Sequence, residues 1–214
     1  MRLFVNRPVR LRILALPRDP GPWIRRLEPW ASTARRERAG RYRFPADRLR
    51  CLGAEALLRH ALRECQGLED PEVALDGRGK PFLPAHPDVH FSLAHSGSWI
   101  LCALSGTPVG VDVEEAPEGG DLPAGMVLSA PERARLAALP PGEARACLVR
   151  MWTLKESLLK AMGLGLSLDP ATLDLRVEGP RVRALHPALD LGVWRLAELS
   201  MPPGAAASLC WRDP

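Results

Sequence analysis

Each half of this sequence contains one segment long and regular enough for a substantial helix, Asp47 to about Cys65 and Glu143 to Met162, and short strand-like runs surround both. In the first, Leu49, Leu52, Ala56 and Leu57 recur at helical spacing; the second ends at Gly163 and Gly165, residues suited to closing a helix. Strands are expected at Arg10–Leu16, Val73–Leu75, Val89–Leu93 and Trp99–Leu104 in the first half. In the second half they are expected at Leu173–Val177, Arg181–Leu185, Gly192–Leu199 and Ala207–Trp211. The turn-rich segment Pro17–Pro22 should lead into a helical region, with Ser32 or Thr33 capping a helix through Arg41. Pro117–Pro123 reads as a loop, and Ser129 opens a short helix over Pro131–Leu139 that Pro140-Pro141-Gly142 breaks. Two halves built alike, roughly 1–105 and 106–214, imply an α+β fold of two similar lobes.

A chain of 214 residues, 46% hydrophobic and 25% charged, can bury such a core in one large domain or two intimate lobes. The net charge of +4 is unevenly spread, because Arg35, Arg36, Arg38, Arg41, Arg43, Arg48 and Arg50 crowd one segment. That clustering suits an anionic partner. Cys51, Cys65, Cys102, Cys147 and Cys210 form neither a disulfide framework nor a zinc ribbon, which favours the cytoplasm. Met1–Arg7 is followed by no apolar export core, and no run spans a bilayer.

Gly110-Val111-Asp112-Val113-Glu114 carries the densest chemical signal. In a strand, Asp112 and Glu114 share a face while Val111 and Val113 take the other. Paired carboxylates repel unless one is protonated or a cation lies between them, and hard oxygen ligands suit Mg²⁺. On the second long helix, Trp152, Glu156, Lys160 and Gly163 line one face, apart from the apolar stripe Met151, Leu154, Leu158 and Met162. That face could meet a ligand, with Glu156 completing a metal site, or could be a solvated Glu156–Lys160 pair. His95, expected at the bend His95-Ser96-Gly97, reads equally as a phosphate contact or a turn histidine. Lys80, in Gly77-Arg78-Gly79-Lys80-Pro81, reads as an anion contact or part of a surface turn. Arg35 and Arg38, three apart, could grip a phosphate or simply be solvated.

Taken in order, Gly79-Lys80-Pro81, Phe91-Ser92-Leu93-Ala94-His95-Ser96, Gly110–Glu114 and Trp152-x-x-Lys155-Glu156-Ser157-x-x-Lys160-x-x-Gly163-x-Gly165-Leu166 resemble the 4′-phosphopantetheinyl transferases, in their long, two-lobed surfactin-type branch, over about residues 30 to 170. The resemblance implies mainly antiparallel sheets related by a pseudo-twofold, a coenzyme A-binding lobe over 1–105 and a metal-binding, catalytic lobe over 106–214. It implies transfer of phosphopantetheine from coenzyme A to a serine of an acyl or peptidyl carrier protein, with release of adenosine 3′,5′-bisphosphate. Asp112, Glu114 and Glu156 would hold Mg²⁺, or Mn²⁺ in its place, and Glu156 would also be the general base, directly or through water. Lys160 would bind the cofactor and stabilise developing charge. His95, also counted with the catalytic residues, and Lys80 would contact coenzyme A phosphates; Arg35 and Arg38 would contact the 3′-phosphate, with Arg50 nearby. Lys155 would be supporting. Two positions depart from the family pattern: Ala94 stands where a serine is common, and Cys51 where a hydroxyl residue can assist the cofactor.

The expected protein is a cytoplasmic monomer that engages carrier protein and coenzyme A, and neither nucleic acid nor membrane. Two other readings of the same residues are a metal-dependent pyrophosphate hydrolase and a non-catalytic nucleotide-binding module.

Overall fold

Both long helices begin at a proline rather than at a polar cap. The computed structural model, which describes residues 9–115, 123–178 and 181–213, starts α3 at Pro45 after extended Phe44 and α6 at Pro141 after extended Pro140. Proline suits the first helical position because its missing N–H would lack a partner there anyway. Asp47 therefore sits within the first turn of α3 (Pro45–Gln66), and the Pro-Pro-Gly segment that follows the short helix also opens α6 (Pro141–Met162). The two helices end on Gly67 and Gly163, at φ 68° and 70°, a left-handed conformation that glycine adopts without a Cβ penalty.

The other elements, in order, are β1 (Arg10–Ala15), α1 (Gly21–Leu27), α2 (Thr33–Gly40), β2 (Ala74–Leu75), β3 (Pro81–Phe82), β4 (His90–Ser96), β5 (Trp99–Ser105) and β6 (Val109–Glu115). Then follow α4 (Ala124–Val127), α5 (Ala130–Ala137), β7 (Asp174–Glu178), β8 (Arg181–Leu185), β9 (Trp194–Leu199) and β10 (Ala205–Arg212). Two antiparallel sheets, ordered β1-β5-β4 and β6-β10-β9-β8-β7, make the fold α+β, and β2–β3 form a separate small hairpin. His95 lies in β4, so the tight turn falls at Gly97-Ser98 rather than at His95. The expected loop Pro117–Pro123 lies outside the described residues except for Pro123, as does the N-terminal stretch Met1–Arg7. All five cysteines are free, and no helix among the described residues is long and apolar enough to cross a membrane.

Burial explains why β5 is apolar from Trp99 to Leu104 instead of alternating. Ile100, Cys102 and Leu104 pack on Ala54, Leu57, Leu58, Ala61 and Leu62 of α3. Leu101 and Ala103 face the second sheet, against Val109, Val111, Val113, Leu199 and Leu209. Similarly, α6 buries Leu154, Leu158 and Leu159 against Leu173, Leu175, Leu196 and Cys210. Between the sheets, β4 and β6 lie side by side without a backbone ladder. Serine hydroxyls join them instead: Ser92 Oγ accepts the Val111 N–H at 3.1 Å, and Ser96 Oγ accepts the Glu115 N–H at 3.1 Å.

Where β6 meets α6 the backbones touch. A β-carbon on Gly110 would overlap the Ser157 carbonyl oxygen and the Ala161 nitrogen, which belong to helix backbone and cannot rotate aside. Gly110→Ala should therefore cost at least the upper end of the ~1–3 kcal/mol typical of overpacking. The expected readout is a lower urea midpoint with an unchanged m-value; a wild-type midpoint would mean that α6 can shift freely on β6.

Candidate active site

Alternation along β6 sends Val111 and Val113 into the core between the sheets and Asp112 and Glu114 toward α6. Glu156 and Lys160, one turn apart on α6, meet them. These four residues, with Lys80, His95, Trp152 and the glycines 79, 163 and 165, line one cleft of about 490 Å³. The helix face expected to meet a ligand is thus a cleft wall.

Asp112 is 4% exposed. Its Oδ1 accepts from Lys160 Nζ at 2.5 Å, while Oδ2 is buried with no hydrogen-bond partner among the described residues. Burial pushes this carboxyl up to about 7; Lys160 opposes the rise through its charge and hydrogen bond, and the charges of Glu114 and Glu156 add to it. Glu156 Oε1 is also buried without a partner among the described residues, and burial raises this carboxyl against the pull of Lys160, with Glu114 adding. Glu114 differs, because Ser96 Oγ donates to its Oε2 at 2.8 Å and Trp152 Nε1 to its Oε1 at 3.2 Å.

Among the described residues no group of three or more His, Cys, Asp or Glu side chains is placed as it stands to hold a metal ion. Like-charged carboxylates hold apart unless a cation lies between them; Lys160 pairs with Asp112, and its charge also reaches Glu156. The donor set nevertheless fits a hard cation. Two desolvated carboxylate oxygens without partners, Asp112 Oδ2 and Glu156 Oε1, are costly in any other role, and oxygen ligands are what Mg²⁺ and Mn²⁺ take.

His95 is exposed at the cleft, yet its imidazole is pushed down, first by the desolvating walls and then by the charges of Arg50, Lys160 and Arg38. The imidazole thus sits in a cationic setting. Lys80 lines the cleft, but its ammonium donates to the carbonyls of Lys160 at 2.6 Å and Ala161 at 3.2 Å, so it caps the last turn of α6. The turn-rich sequence around Lys80 carried no sign of that partner.

The three arginines lie outside this cleft. Arg35 Nε is 3.5 Å from Glu55 Oε2, within a cluster where buried Glu55 also receives the Ser32 N–H and hydroxyl and the Arg59 guanidinium, so much of its charge is spent joining α2 to α3. Arg50 donates to the Gly97 carbonyl at 2.7 Å and to Asp47 at 2.5 Å, bracing the β4–β5 turn. Arg38 is exposed on α2, and its charge reaches His95.

The two departures also fall away from the cleft wall. Ala94 is buried between the sheets, and Cys51 is buried near Arg35. Lys155 projects away from Lys160 and is fully buried, its three N–H groups shared among four acceptors, Glu132 at 2.5 Å and the carbonyls of Val127, Pro170 and Leu173. Ser96 was not read as a site residue from sequence. The available signal was a small polar pair, Ser92 and Ser96, on one face of a strand with Ala94 between them.

Residues 108–210 match the 4′-phosphopantetheinyl transferase superfamily. Over 193 residues the chain is 30% identical to the 4′-phosphopantetheinyl transferase psf-1 of Bacillus pumilus, covering 89% of this chain and 83% of that protein. It is 34% identical over 149 residues to a 4′-phosphopantetheinyl transferase of Bacillus subtilis, covering 69% of this chain and 66% of the relative. With the 4′-phosphopantetheinyl transferase Sfp of Bacillus subtilis (strain 168) it shares 30% identity over 154 residues, or 71% of this chain and 69% of Sfp.

Proposed function

Since the chain belongs to the 4′-phosphopantetheinyl transferase superfamily, in its Sfp-like branch, we propose that it transfers 4′-phosphopantetheine from coenzyme A to a serine hydroxyl of an acyl or peptidyl carrier protein in a Mg²⁺-dependent reaction. The observation that carries this reading is the pair of buried, partnerless carboxylate oxygens on Asp112 and Glu156, facing one cleft beside Lys160. In this assignment Asp112, Glu114 and Glu156 hold the metal, which when bound neutralises pyrophosphate charge and polarises the attacked phosphorus.

Glu156 takes the proton of the carrier serine, directly or through water. An ordinary glutamate is a weak base for a hydroxyl, so proximity to the serine and charge stabilisation at the metal would supply much of the rate. As the serine oxygen bonds to the β-phosphorus of coenzyme A, the bond from that phosphorus to the bridging oxygen breaks, and adenosine 3′,5′-bisphosphate leaves. Lys160 faces the negative charge that gathers on the departing phosphate, and an ammonium fixed beforehand by Asp112 needs little reorganisation. His95 approaches coenzyme A phosphates with the charges of Arg50 and Arg38 reaching the same place, which favours an anion at that end of the cleft. Lys80 acts mainly by fixing the end of α6, with its remaining N–H available to the cofactor.

We assign coenzyme A contacts to residues 1–105 and metal and base chemistry to 106–214, in a monomer working in the cytoplasm. The test is the intact mass of an apo carrier protein incubated with this protein, coenzyme A and Mg²⁺, with and without chelator. A metal-dependent gain of one phosphopantetheine, absent when the carrier serine is alanine, is the expected result. Coenzyme A consumed with no mass gain would mean hydrolysis, and coenzyme A bound but not consumed would mean a binding module.

A further inference from the structure

We propose that Ser96 is a positioning residue for the metal site: its hydroxyl fixes the carboxylate of Glu114 and couples that carboxylate to the strand bearing His95. The inference rests on the metal reading above. Ser96 has one hydroxyl proton, and the bond to Glu114 Oε2 at 2.8 Å uses it. The same oxygen accepts the backbone N–H of Glu115 at 3.1 Å, so the neighbouring residue of β6 sets the hydroxyl's orientation. Trp152 Nε1, from α6, reaches the other oxygen of Glu114 at 3.2 Å. Among the described residues Glu114 is therefore the only one of the three carboxylates with a hydrogen-bond donor on each oxygen, one donor coming from β4 and the other from α6.

Such an arrangement has a definite use. Asp112 and Glu156 each keep a bare oxygen, and Glu114 is held so that its remaining lone pairs keep one direction. Donors behind a ligating carboxylate are worth about 10–100-fold in metal affinity. Because Ser96 directly follows His95 on β4, any movement of β4 against β6 would shift Glu114 together with the phosphate-facing histidine. Ser92 is an internal control: it makes the corresponding bond to Val111 N–H, four residues earlier on each strand, without touching a carboxylate.

The experiment titrates Mn²⁺ into the protein saturated with coenzyme A and follows free Mn²⁺ by electron paramagnetic resonance, against a coenzyme A blank. Coenzyme A affinity is measured separately by calorimetry in chelator. Ser96→Ala should weaken Mn²⁺ binding about 10–100-fold with coenzyme A affinity unchanged, and Ser96→Thr should restore it. Ser92→Ala should lower stability but leave Mn²⁺ affinity at the wild-type value. Wild-type Mn²⁺ affinity in Ser96→Ala would overturn the inference, as would equal losses in Ser92→Ala and Ser96→Ala, which would make the serines merely structural. A wild-type protein that binds coenzyme A but no Mn²⁺ would instead overturn the metal reading itself.

Discussion

Glu156→Gln should reduce phosphopantetheine transfer by about 10²–10⁴-fold, the range lost when a general base is removed, while leaving the protein at least as stable as wild type. The two halves of this expectation have one cause. Glu156 Oε1 is buried and finds no hydrogen-bond donor among the described residues, so the folded protein bears the cost of a desolvated carboxylate oxygen. A neutral amide of the same shape relieves that cost and also removes the base and a metal ligand. Active-site groups commonly show this opposition between function and stability. Transfer is read as the initial rate of carrier mass gain, and stability as the urea midpoint in chelator. Near-normal turnover would remove Glu156 from the chemistry. Lost activity with a sharply lower midpoint would make Glu156 a structural residue.

Lys155→Met should cost about 3–5 kcal/mol, the loss expected when one partner of a buried ion pair is removed. The Lys155 side chain is fully buried, and its three N–H groups are shared among Glu132 and the carbonyls of Val127, Pro170 and Leu173. Glu132 in turn accepts the N–H of Ser129, closing the capping box of α5, and the N–H of Leu175 in β7. Methionine fills much of the volume but satisfies none of these acceptors, which leaves a buried carboxylate and three carbonyls without the cation. Adding Glu132→Gln to Lys155→Met should cost less than the two single losses summed, because each single change already strands the other partner. Denaturant titrations of the four proteins would decide it. Strict additivity would show that the pair is not energetically coupled.

Lys155 and Lys160 mark what a sequence can and cannot disclose. The two lysines are five residues apart on one helix, so periodicity places them on different faces, and it put Glu156 and Lys160 together opposite the apolar stripe. The strand alternation of Asp112 and Glu114 was equally legible, because both signals depend on local geometry alone. What each face would meet was not legible. Lys155 is sealed inside a polar knot assembled from residues 127 to 175, and Lys80 reaches 80 residues along the chain to the end of α6. Arg35 illustrates the same limit: three-residue spacing to Arg38 suggested a phosphate grip, but a buried glutamate on the next helix lies beside its guanidinium. The helix starts were misplaced for a local reason, since Pro45 and Pro141 compete with Asp47 and Glu143 as starting signals and both prolines prevailed.

The seam between β4 and β6 has a further consequence for anyone who would dissect this protein. Leu101 and Ala103 on one sheet and Val109, Val111 and Val113 on the other cover each other, and a serine hydroxyl rather than a strand partner meets the Val111 amide. Cut between residues 105 and 106, each fragment would present a bare apolar sheet and an unpaired strand edge to water, the combination that draws chains into aggregates. Neither half is a portable module, and any grafting or directed shuffling would have to exchange the two as one inheritance.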